Sequence, residues 1–385
     1  MRPTSSWPEV GEDALDPPRP ASDTRWLWLP RRRPALGVRS TAAPTVMFVL
    51  LGVILGPKGI GILSHAVLGA LDVVASVALA VIGVFVGLGI STVTGASGAR
   101  AVISGMTVAV ITTATVTGGL YLLIPIWGMP LPVEVFAFAG ILGICASASA
   151  AAHVPASAGA ALRRAVRLAD VDDIAIVLLG AVALAALAGG EVLQRLMMTA
   201  IAGAAIGFAG WLLFERAKET AERGVFVTGA VLLLAGIGTY LSTSPLLSGC
   251  VAALVWAHAP GPADRITAGD LRTLQHPLVA LVLIMAGALI DWDPRVLWVA
   301  GAVVLLRLTG KLTASLAVAP LAQVSPALLA TVLLPPGIVG IALALNVRQV
   351  LGAEAAGIVV GAAASAAVAS ELIAAFLARA HEDPS

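Results

Sequence analysis

The sequence predicts an all-α polytopic membrane protein of about twelve transmembrane helices, on three observations. Hydrophobic residues make up 59% of the chain and charged residues 12%, whereas soluble domains carry roughly 25% charged residues. Mean hydropathy is +0.98. Apolar runs near the ~20 residues that cross a bilayer recur along most of the length. With only 5% aromatic residues, the runs are built from Ala, Val, Leu, Ile and Gly, which suits helices that pack closely through small side chains. A net charge of +1 offers no electrostatic basis for binding nucleic acid.

Residues 1–42, rich in Pro, Ser, Asp and Arg, are expected to form a disordered tail. No apolar run precedes Val46 to act as a cleavable signal. Spanning segments are expected at about 43–63, 67–90, 99–125, 133–152, 161–188 and 193–214, then 224–242, 244–258, 275–291, 295–319, 324–346 and 352–379. Residues 380–385 form a short C-terminal tail. Cys145 and Cys250 both lie inside apolar runs and read as packing residues.

Twelve spans place both termini on one side, and positive charge identifies that side. With the N-terminus inside, 17 of the 23 Lys and Arg lie in cytoplasmic segments, including Arg31-Arg32-Arg33, Arg163, Arg164 and Arg167. Lys58, Arg195, Arg295 and Arg348 lie outside. The bias predicts cytoplasmic termini in an inner (plasma) membrane.

Two spans carry sequence unsuited to an unbroken helix. In the fourth, Gly143-Ile144-Cys145-Ala146-Ser147-Ala148-Ser149-Ala150 places hydroxyls and tiny side chains at mid-membrane, followed by His153 and Pro155. In the eleventh, Pro335-Pro336-Gly337 interrupts an apolar run. Tandem prolines break a helix and leave carbonyls unpaired, and irregular backbone at membrane depth survives only when buried or facing a cavity. Interrupted spans in matching positions of two halves point to a transporter site built from inverted repeats. The bland alternatives are a simple kink at Pro335-Pro336 and small-residue packing at Ser147 and Ser149.

The fifth span opens with Asp170-Val171-Asp172-Asp173-Ile174. A carboxylate at the centre of a spanning helix costs about 2.5–3.5 kcal/mol on insertion scales, so it tends to face a cavity or a partner and to handle ions or protons. Asp172 and Asp173 therefore read as the cation and proton site of a secondary antiporter, and Asp170 as a residue at the helix mouth, where an acid also suits the helix dipole. Lys311 lies within the tenth span, with Arg307 one turn earlier on the same face. A bridge from Lys311 to Asp172 or Asp173 is the economical pairing, with snorkelling to the interface as the alternative; the sequence names no partner for Arg307, which is too deep to snorkel easily, and Asp170 is only a guess. Glu354, Glu371, His153 and Glu191 lie near span ends and read as interface residues.

With these residues in view, the chain resembles the monovalent cation/proton antiporter superfamily, in particular sodium/proton antiporters of the NhaA and NapA type, from about residue 44 to 379. Gly52 to Gly61, with Gly56-Pro57, is similar to the signature that ends the family's early helix. Asp172-Asp173 matches its paired-aspartate motif, Ser248-Gly249 a small-residue helix, and Pro294 to Lys311 the helix with the buried lysine. Pro335-Pro336-Gly337-Ile338-Val339-Gly340 stands where the family has proline-arginine-glycine-glutamate-valine-glycine.

The resemblance implies two crossing interrupted helices, spans 4 and 11, in a core domain beside a dimerisation domain, moving as an elevator in a homodimer. It implies Asp173 as the main cation and proton ligand, Asp172 as the partner of Lys311, and Ser147 or Ser149 as contributors at the break. It further implies electrogenic exchange of two protons per Na+ or Li+, with no cofactor and no enzymatic activity. Pro336 and Ile338 remove two family charges, while Arg307 and Arg167 add positive charge where the family is apolar. K+/H+ antiport and sodium-coupled symport of an organic solute on a related fold are the rival readings.

Overall fold

The computed structural model describes residues 42–382, apart from 92–95, 129–133, 151–158, 218, 242, 260–262, 292 and 352. The expected tail up to residue 41, His153 and Pro155 lie outside the described residues, as does the side chain of Glu354. The helices run in the order α1 (Ala42–Leu55), α2 (His65–Ser91), α3 (Ala96–Trp127), α4 (Val135–Ser147), α5 (Ala160–Leu187) and α6 (Val192–Arg216). They continue with α7 (Thr220–Tyr240), α8 (Pro245–His258), α9 (Ala263–Ala288), α10 (Pro294–Ala322), α11 (Pro326–Leu333), α12 (Ile338–Leu351) and α13 (Ala353–Glu382). Among the described residues there is no named strand, only one isolated bridge.

Each expected segment holds a helix, and thirteen arise among the described residues because the eleventh segment is two helices. α11 ends at Leu333 before Pro335-Pro336, and α12 begins at Ile338. Among the described residues six helices, α2, α3, α6, α7, α10 and α13, are long and apolar enough to cross a bilayer. α5 matches them in length but carries Asp170, Asp172 and Asp173. The first segment, expected to run to residue 63, is helical only to Leu55, because Gly56-Pro57 stops the ladder. The chain then turns back, and the amides of Ile60 and Leu63 cap the carbonyls of Ile54 and Leu55. α9 starts at Ala263, well before the expected residue 275, since its first turns are polar and carry no apolar period.

Local chemistry sets several starts. Ser244, Asp293 and Ser325 cap α8, α10 and α11 through their side-chain oxygens, each followed by proline in the first turn. The helices pack most densely in two sets, α1, α2 and α6–α9 in one, and α3–α5 with α10–α13 in the other. In the first set, Gly83 of α2 and Gly249 of α8 each face a carbonyl of the other helix so closely that a Cβ would collide. Gly52 of α1 and Gly287 of α9 do the same. Such small-residue contacts let backbones approach where lipid supplies no hydrophobic drive between helices.

Polarity is inverted relative to a soluble protein. α10 exposes Trp298, Leu305, Leu312 and Leu316 and buries Arg307, Lys311 and Ser315. That pattern suits a helix with lipid on one face and a polar site on the other.

Candidate functional site

Asp172 lies about 18 Å along α5 from Ala160, near the middle of a bilayer-length helix. Neighbouring residues on a helix are about 100° apart, so the two adjacent aspartates meet different surroundings. Asp172 is fully buried, Asp173 is half-buried and Asp170 is exposed. The outward stripe of α5 runs through Arg163, Arg167 and Asp170 to Asp173, a charged track from the helix start to the pair.

Lys311 is buried, 1% exposed, so it does not snorkel. Its Nζ donates to Asp172 Oδ2 at 2.8 Å, to Ser149 Oγ at 2.6 Å and to the Ser147 carbonyl at 2.5 Å. All three ammonium donors are thereby used. Ser149 Oγ in turn donates to Asp172 Oδ2 at 2.7 Å, within reach also of the Leu333 carbonyl at 3.2 Å. Oδ1 of Asp172 and Oδ1 of Asp173 are buried and find no hydrogen-bond partner among the described residues. Among the described residues, two carboxyl oxygens on consecutive residues thus remain uncommitted beside a lysine whose three donors are used.

Ser149 sits where two helix interruptions meet. α4 ends at Ser147 and the chain turns extended at Ala148. There it pairs with the Pro335–Gly337 stretch: the amide of Ala150 donates to the Pro335 carbonyl at 2.9 Å, and that of Gly337 to the Ala148 carbonyl at 3.1 Å. Ser149 and Pro336 form an antiparallel bridge. Close approach demands glycine on the α12 side. A Cβ on Gly337 would lie 2.8 Å from the Ser149 carbonyl oxygen, and one on Gly340 would run into that of Cys145.

Of the expected contributors, Ser147 and Ser149 play different parts. The Ser147 hydroxyl donates back to the Ile144 carbonyl at 2.8 Å, so this residue offers the site its backbone oxygen only. Arg307, 3% exposed, does not reach Asp170. Its Nη1 donates to the Ala146 carbonyl, and its Nη2 to those of Leu334 at 2.9 Å, Pro335 at 3.2 Å and Leu333 at 3.5 Å. The Ala146 and Leu333 oxygens belong to the last turns of α4 and α11, where no intrahelical donor exists, and those of Leu334 and Pro335 to the residues that directly follow α11. Sequence patterns cannot flag carbonyls as partners; the only available signal was a second cation one turn from Lys311.

Two further features differ from, or go beyond, what the sequence suggested. Glu371 of α13 is buried, not interfacial, with a hydrogen bond to Thr45 of α1. Arg348 of α12 pairs with Asp72 of α2 at 2.9 Å. Beside that pair, Gln349 Nε2 donates to Ser76 Oγ at 2.9 Å, and Ser244 of α8 donates to buried Asn346 at 2.7 Å. These polar contacts join α12 to the set containing α2 and α8.

No protein-family profile matches the sequence, and no curated protein matches it. Among solved structures, the chain is similar to the sodium proton antiporter MjNhaP1 from Methanocaldococcus jannaschii. The TM-score is 0.59 at 16% identity, over 87% of this chain and 91% of that one. The two share a fold. That likeness speaks for the sodium/proton antiporter fold at large and does not single out the NhaA and NapA type.

Proposed function

We propose that this protein exchanges a monovalent cation, Na+ or Li+, for protons across a cell membrane at the Asp172–Asp173 pair. One observation carries the reading: two buried carboxyl oxygens on consecutive residues of a bilayer-length helix, without partners among the described residues, beside the junction of two interrupted helices. The fold shared with a sodium proton antiporter supports it.

Asp173 is the principal ligand of cation and proton. Asp172 Oδ1 faces the same task, while its Oδ2 is held by Lys311 and Ser149. A proton and a cation both need the same oxygens, so loading one expels the other, which is the condition for antiport. Two carboxylates that share a site also repel, and relief of that repulsion favours binding either a metal cation or a proton. With two acids and one cation, exchange of two protons per cation is electrogenic. The set of α3–α5 and α10–α13 carries the ion past the set of α1, α2 and α6–α9 as an elevator, in a homodimer. The half-buried face of Asp173 and the charged stripe of α5 supply one approach to the site.

The test is reconstitution of the full chain in proteoliposomes with an internal pH dye. Adding Na+ or Li+ to proton-loaded vesicles is expected to collapse the pH gradient, and Asp173→Asn is expected to abolish the response. A response to K+ alone reassigns the cargo. A gradient that stands until an organic solute is added identifies a symporter and removes the proposal.

A further inference from the structure

Arg307 and Lys311 share the buried face of α10, one turn apart, yet meet different partners. Lys311 is matched by a carboxylate. The Arg307 guanidinium meets neutral oxygens: the carbonyls of Ala146 at the end of α4, and of Leu333, Leu334 and Pro335 at the end of α11. Helix C-termini carry partial negative charge on their last carbonyls, and although Pro335 also accepts from the Ala150 amide and Leu333 from Ser149 Oγ, each carbonyl oxygen has a second lone pair to satisfy. At membrane depth they cannot turn to water and must be satisfied within the protein. Four carbonyl oxygens converging from two chain segments are also a donor set that dehydrated alkali cations accept.

We infer that Arg307 is a tethered cation that fills a backbone-carbonyl cage at the helix junction, and so confines the transported ion to the aspartate pair. The guanidinium suits the position because its planar fork spans two segments at once, which an ammonium does only as a point charge. A small cavity of about 20 Å³, lined by Cys145, Val303, Arg307, Pro336 and Ala363, lies beside the cage on the side of α13. Shortening the Arg307 side chain enlarges this cavity, leaving room for a small cation beside the carbonyls. The confinement of cargo rests on the proposed antiport; the cage itself does not.

The experiment measures melting of the full chain in detergent with and without NaCl, at ionic strength held constant with a bulky organic cation. The background is Asp173→Asn, which removes the proposed transport ligand. The readout is the difference in sodium response between D173N and D173N/R307Q, so a wild-type chain that fails to exchange ions leaves this test intact. R307Q keeps hydrogen-bond donors and loses the charge. Sodium at about ten times its dissociation constant is expected to raise the melting temperature of D173N/R307Q by roughly 2 °C more than that of D173N. D173N/R307K keeps the charge and is expected to respond like D173N. Guanidinium chloride far below denaturing concentrations is expected to stabilise D173N/R307A in the same way. Equal sodium responses of the R307Q and R307K chains, or no stabilisation of folded R307Q by sodium, overturn the inference. Should R307A not fold, the R307Q and R307K pair decides alone.

Discussion

Replacing Lys311 by methionine removes a charge that is 1% exposed and 2.8 Å from a carboxylate that is 0% exposed. The variant keeps most of the side-chain volume. It also strips three donors from the site, leaving Asp172, Ser149 and the Ser147 carbonyl to find others. Breaking a buried pair from one side costs about 3–5 kcal/mol, mostly through the charge left behind. With an unfolding entropy of about 2.1 cal/mol/K per residue, a chain of this length loses about 4–6 °C of melting temperature. Asp172→Asn is expected to cost a similar amount. The double variant is expected to melt no lower than the worse single one, because neither charge is then stranded. Melting followed by the intrinsic fluorescence of the eight tryptophans measures all four corners of the cycle. Losses that add to within about 0.5 kcal/mol show uncoupled residues and refute the pairing as the organiser of the site.

Ser149→Ala deletes a hydroxyl that accepts from Lys311 and donates to Asp172; with hydrogen bonds to charged groups at about 1.5–3 kcal/mol, its melting point is expected to fall by about 2–4 °C. Ser149→Thr, which keeps the hydroxyl, is expected to retain most of that stability and the exchange rate. Gly340→Val drives a branched side chain into the Cys145 carbonyl, and overpacking of about 1–3 kcal/mol or more is expected to lower both melting and exchange. Gly301, where a Cβ meets nothing within 4 Å, is the control whose substitution by alanine leaves both unchanged.

Much of the architecture was legible because bilayer physics writes it into composition. Runs of Ala, Val, Leu and Ile of spanning length located the helices, and Pro335-Pro336-Gly337 located the gap between α11 and α12. Charges in such runs are rare enough that Asp172, Asp173, Lys311 and Arg307 stood out, and three of these contribute groups to the helix junction. What escaped notice depends on backbone. The Arg307 partners are carbonyls, which every residue has, so no side-chain pattern announces them. The same holds for Ser147, whose hydroxyl drew attention while its carbonyl binds Lys311. Asp72 and Arg348 are far apart in sequence and each lies near a helix end. There a lone charge is ordinary, and only the packing of α12 on α2 makes them a pair.

The most direct test of competition at the aspartate pair is the half-saturating sodium concentration for exchange, measured in proteoliposomes as a function of pH with the maximal rate determined at each point. Competition for the same oxygens predicts that, on the acidic limb, this concentration rises about tenfold for each pH unit that one bound proton opposes, while the maximal rate at saturating sodium holds steady. A half-saturating concentration that stays constant with pH while the maximal rate falls would contradict a shared site for the two ions.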